Sequence, residues 1–115
     1  MYQLTKKLGR DIAKQVESNF EEQSKLLAEL VRAKSVNPGD GAMRSAQVEV
    51  KVAKLIRGKF RDWGLRPRYL RARSGRPNLV TTWGPARSRK SVLLVGHMDT
   101  GGIESELINT PFSGV

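Results

Sequence analysis

The stretch SVLLVGHMDT, residues 91–100, decides how this chain is expected to fold. Val92 to Val95 are apolar without interruption, the pattern of a strand covered on both faces. The run ends at Gly96, which leaves room for a ligand or another backbone, and is followed by His97, the only histidine, and by Asp99. Side chains alternate faces along a strand, so residues 97 and 99 share a face if extended geometry persists that far. A carboxylate bonded to one ring nitrogen fixes the imidazole tautomer and makes the other nitrogen a better metal ligand. Strand ends are also where layered α/β folds place their sites. On spacing alone this histidine reads more readily as a structural one with a satisfied hydrogen bond than as a metal ligand.

Upstream, the elements are legible from period and punctuation. Leu4, Leu8, Ile12, Val16 and Phe20 recur every fourth residue, and Leu26, Leu27, Leu30 and Val31 continue the stripe, which predicts one leading helix packed on its own domain. SVNPGDG, residues 35–41, is a cluster of turn formers in which Pro38 biases Asn37 away from helical angles. A second helix is expected from about Ala42 to Trp63, burying Val48, Val52, Leu55, Ile56 and Phe60 and capped by Gly64. Residues 69–73 and 79–83 are β-prone runs separated by SGRP, which reads as a hairpin or meander. Two helices followed by three strands point to a layered α/β domain, with residues 1–34 as a leading helix and 35–115 as α/β.

The bulk numbers bound the class. A chain of 115 residues makes one modest domain. There is no long apolar run to span a membrane and no apolar core to the N-terminus that would make a secretory signal, so a cytoplasmic location is the expectation. With no cysteine, neither disulfides nor thiolate ligands are available, and any metal must be held by nitrogen and oxygen. The net charge of +10 is concentrated between Lys51 and Arg76, a field that attracts anions.

LLVGHMDT resembles the first metal-binding motif of the zinc metallopeptidase and deacylase family that includes acetylornithine deacetylase, succinyl-diaminopimelate desuccinylase and carboxypeptidase G. LLAELVRAKSVNPGD is similar to that family's opening helix and loop, VAKLIRGKFRDWGL to its second helix, RPNLVTTWG to the next strand and TPFSG to the segment after the histidine motif. The similarity runs in order over residues 26–114. It implies an α/β fold, the N-terminal portion of a layered α/β/α catalytic domain, with His97 as a metal ligand and Asp99 as the nearby acidic residue that orients the ligand and supports catalysis. It also implies two Zn2+ ions per complete site, acting on N-acylated amino acids or small peptides. In that chemistry zinc polarises the scissile carbonyl and supplies hydroxide while a glutamate shuttles the proton.

The family's bridging aspartate, glutamate base and further ligands lie beyond PFSG. A catalytic zinc takes about three protein ligands, and Glu104 and Glu106 match no family ligand position. The chain is therefore expected to be an N-terminal piece of such a hydrolase, inactive alone, with an uncovered SVLLV segment that makes it marginal and prone to associate.

Two other readings stand beside this one. The basic belt, with Trp63 and Tyr69 among its arginines, suits a nucleic-acid or anion-binding module, although no reading motif accompanies it and such charge is ordinarily a solvated face. The leading stripe suits a non-catalytic interaction protein in which that helix mediates homo-oligomer assembly.

Overall fold

The computed structural model describes residues 5–37, 48–73, 75–101 and 110–114. Its elements are helices α1 (Lys6–Ser18), α2 (Phe20–Arg32) and α3 (Val48–Asp62), then strands β1 (Arg68–Arg73) and β2 (Arg76–Val80). The fold is thus mixed α/β. The start expected for the second helix, Ala42, and the turn residues Pro38 and Gly41 lie outside the described residues.

The leading helix is two helices. Thr5 caps α1 by accepting the amide of Leu8 at 3.3 Å, which satisfies one orphan donor of the first turn. The ladder breaks at Asn19 (φ -99, ψ 3), where Ser18 Oγ donates back to the carbonyl of Gln15 at 2.9 Å. Hydroxyls that bond backwards compete with the helical pattern and bend it. Asn19 then starts α2, whose first turn holds Glu21 and Glu22 and whose last holds Arg32, the polarity the helix dipole favours.

Neither helix buries a residue completely. The stripe expected to pack on the domain is exposed instead, from 43% at Leu8 to 69% at Phe20. Periodicity established the amphipathic face of α1, but among the described residues no element covers it. α2 is better placed: Leu26, Ala28, Leu30 and Val31 are half-buried. The turn at residues 110–114 docks on its end, with Arg32 Nε donating to the carbonyl of Ser113 at 3.0 Å and Lys34 Nζ lying 5.2 Å from the Phe112 ring centre. Gly114 (φ 67) passes so close that a Cβ there would meet the Ala28 carbonyl oxygen at 2.7 Å, so only glycine fits.

The core lies where α3 meets the hairpin. Val52 and Ala53 are its buried apolar residues, and Leu55, Ile56 and Phe60 are half-buried around them. α3 ends as the sequence indicates. Gly64 (φ 76) donates its amide to Arg61 O and Leu65 donates to Phe60 O, both at 2.8 Å, the paired bonds of a Schellman cap.

β1 and β2 are antiparallel, pairing Arg68 with Val80 and Arg73 with Arg76, with an irregularity between Arg71 and Arg73. The first strand agrees with expectation, but the second begins at Arg76 rather than Leu79 and ends before Trp83. The turn at Gly75 (φ 77) is tight and sets the register from its own end of the hairpin. Pro77 is tolerated because both strands of a two-stranded sheet are edges.

The larger correction concerns residues 91–95. They form no strand, and Val92, Leu93, Leu94 and Val95 are 84–89% exposed rather than covered on both faces. An apolar run becomes a buried strand only when neighbouring strands and covering helices exist, and the sheet here has two strands. The whole chain reflects this. Its accessible surface is 10668 Å², against about 6,300 Å² for a compact protein of this mass. Its radius of gyration is 17.5 Å, where about 13 Å is usual for this length. No helix among the described residues is long and apolar enough to cross a membrane.

Candidate functional site

Although residues 91–95 pair with nothing in the hairpin, the motif after them is anchored. Lys34 (φ 57) turns the chain out of α2, and Ser35, 4% exposed, leads into a parallel bridge between Val36 and Thr100. Two bonds close the bridge: the Asn37 amide donates to Thr100 O and the Thr100 amide to Ser35 O, each at 2.8 Å. Residue 99 is thereby held beside residue 37.

Four segments contribute side chains to the result. The Asn37 amide nitrogen donates to Asp99 Oδ2 at 2.6 Å, while Asn37 Oδ1 accepts from an Arg76 terminal nitrogen at 3.2 Å. Arg76 Nε in turn faces Glu49 Oε1 of α3 at 3.4 Å. An amide is suited to this position because its donor end meets an anion and its acceptor end a cation. At the far end, His97 Nδ1 bonds the carbonyl oxygen of Asp99 and lies 3.2 Å from Asp99 Oδ1. Both partners are pure acceptors when Asp99 is ionised, so Nδ1 carries the proton and Nε2 of the neutral ring keeps its lone pair.

The environments of the two groups differ. The His97 side chain is 83% exposed, so its Nε2 edge is open, whereas that of Asp99 is 27% exposed. The Asp99 carboxyl is held below the usual carboxylate range. The largest cause is the Asn37 amide; partial burial opposes it, and the backbone amide of Asp99 and the His97 ring add to the lowering.

The expected juxtaposition of His97 and Asp99 is therefore present, but by a different route. The chain bends at Met98 instead of continuing as a strand, and the contact runs through the backbone carbonyl as well as the carboxylate. The residues that complete the arrangement, Asn37 and Arg76, lie far from the motif in sequence. Asn37 is readable there only as a turn residue and Arg76 only as one more positive charge, and no local pattern links them to Asp99.

As a metal centre the arrangement is incomplete. Among the described residues no group of three or more His, Cys, Asp or Glu side chains could hold a metal ion. Asp99 spends one oxygen on Asn37 and turns the other to the imidazole, which leaves Nε2 of His97 as the outward donor. One nitrogen does not make a zinc site. Glu104 and Glu106 lie outside the described residues.

The basic belt is partly committed to internal contacts. The Arg57 guanidinium lies 5.1 Å from the Tyr69 ring centre, and Phe60 and Trp63 meet at 6.0 Å. Arg32, Lys51, Lys54 and Lys59 line an open groove between α2 and α3, together with Glu29 and Asp62.

No protein-family model, curated protein or solved structure matches the chain.

Proposed function

We propose that this chain carries the first-ligand segment of a zinc-dependent amidohydrolase of the metallopeptidase and deacylase class. His97 offers Nε2 to the metal, and Asp99 orients the ring and raises its basicity. The observation that carries this reading is the pairing of His97 Nδ1 with Asp99 and the open ring edge; two acceptors facing Nδ1 favour the proton there. The ordered sequence resemblance over residues 26–114 supplies the reaction class, hydrolysis of N-acylated amino acids or small peptides. The described residues supply one outward nitrogen donor, so in this reading the bound metal takes further oxygen or nitrogen donors, and the expectation is that the chain by itself acts as a half-site without hydrolytic activity.

The test is zinc titration of the chain followed on the ring resonances of His97, which has no other histidine to confuse it. The expected result is saturable binding removed by His97→Ala and weakened about ten- to hundredfold by Asp99→Asn, the usual consequence of losing an orienting partner. Equal affinity in wild type and Asp99→Asn would mark an ordinary surface histidine and end the proposal. Metal-dependent hydrolysis of an N-acyl amino acid by the 115-residue chain would overturn the half-site reading.

Anion binding by the basic belt is the weaker reading. Tyr69 is engaged by Arg57, Arg76 is paired with Glu49, and the α2–α3 groove mixes Glu29 and Asp62 with its cations. Binding to single-stranded nucleic acid that steepens as salt falls would favour it.

A further inference from the structure

The interactions beyond Asp99 form a directed chain from helix to histidine: Glu49, Arg76, Asn37, Asp99, His97. Glu49 forms an ion pair with Arg76 at 3.4 Å, Arg76 donates to Asn37, Asn37 donates to Asp99, and Asp99 accepts from the ring. They come from α3, β2, the turn after α2 and the bend after residue 96, so four separate parts of the chain converge on one carboxylate. The Asn37 to Asp99 and Arg76 to Asn37 bonds are part-buried, with the Glu49 side chain 15% and that of Asp99 27% exposed, so they meet less solvent competition than the Lys25 to Glu21 pair on the surface of α2.

We infer that Asn37 and Arg76 are positioning residues: together they fix the Asp99 carboxylate so that one oxygen faces His97 Nδ1, which keeps the ring in the Nδ1–H form with Nε2 outward. Arg76 acts one step removed. It donates to the Asn37 carbonyl, which favours the orientation with the amide's donor end toward Asp99, and Glu49 pairs with the guanidinium. The purpose of this orientation rests on the proposed metal role of His97, but the geometry does not, and it can be tested without metal.

The backbone bridge between Val36 and Thr100 is the competing explanation, because it also holds residue 99 near residue 37. Side-chain variants that spare the bridge separate the two. Asn37→Asp keeps the backbone while replacing the amide donor by a charge that repels Asp99, and Arg76→Gln removes the charged donor from a half-buried position at the start of β2. In metal-free protein at alkaline pH, nitrogen NMR of the sole histidine reads the tautomer ratio, and hydrogen exchange of the Asn37 and Thr100 amides reports the bridge.

The expected result is a fall of about two- to tenfold in the ratio of Nδ1–H to Nε2–H forms in both variants, the range for one net hydrogen bond, with both amides still protected. The Asp99 carbonyl accounts for whatever preference persists. In an Asp99→Ala background, Arg76→Gln should have no further effect. A ratio unchanged from wild type overturns the inference, and so does a shift that appears only when the two amides lose protection, since the role would then be structural. Zinc binding that depends on Asp99 alongside an unchanged tautomer ratio would leave the proposed function standing and remove this inference alone.

Discussion

Asp99 is where the local chemistry can be weighed. Its carboxyl is held below the usual range chiefly because Asn37 donates to it, so the ionised form is favoured in the folded chain. In the unfolded chain the same group titrates at about 3.9 and takes up protons at higher pH than in the folded one. The contribution to stability is therefore complete above that value and is lost as pH falls through the lower folded value. Protection of the Asn37 and Thr100 amides should weaken across that acid window in wild type. In Asp99→Asn, which has no charge to lose, the same step should be absent; a step of equal size there would show that another acid is responsible. Of this arrangement, the sequence raised the His97 to Asp99 pair, but from a strand alternation that the bend at Met98 replaces. Asn37 and Arg76 were not legible, because their contacts join positions separated by 62 and 39 residues.

Among the elements, α3 and its cap are the best determined. Gly64 stands in open space at φ 76, so a side chain meets no neighbour but must take a left-handed backbone. Gly64→Ala should cost about 1 kcal/mol, seen as a lower denaturation midpoint of the α3–hairpin unit, with Leu65 losing its bond to Phe60 O. A midpoint equal to wild type would mean the Schellman cap contributes nothing to the core. The leading helix illustrates the opposite case. Its period survives across the break at Asn19, so a pattern of apolar residues could not reveal that Ser18 turns its hydroxyl back on Gln15 and that α2 restarts. Strand β2 shifted for a similar reason: β-propensity favoured residues 79–83, but the tight turn at Gly75 dictated which residues could pair.

At the level of the whole molecule, surface dominates. An accessible area of 10668 Å² and four adjacent aliphatic residues at 84–89% exposure leave apolar surface that a stable monomer ordinarily covers. With it lies the α1 stripe of Leu8, Ile12 and Val16, each near half exposed. The chain should therefore associate as its concentration rises, and Leu94→Lys, which interrupts the run without touching the core, should raise the concentration at which light scattering departs from the monomer mass. Helix content should stay as in wild type. A wild-type chain that remains monomeric at high concentration, with slow and cooperative exchange of the Val92 to Val95 amides, would contradict this picture.

The sequence by itself determined the local elements: the helical stretches, the Schellman stop at Gly64, the existence of the hairpin and the placement of His97 two residues from Asp99. Each depends on residues near one another along the chain, through side-chain period, cap geometry or turn chemistry. Only the tertiary structure decided that residues 91–95 stay unpaired and exposed, that the α1 stripe is left uncovered, and that Asn37 and Arg76 converge on Asp99. Burial and pairing are properties of partners. A stretch such as SVLLV states its preference for a covered strand, but whether neighbours exist to cover it is settled by the rest of the fold.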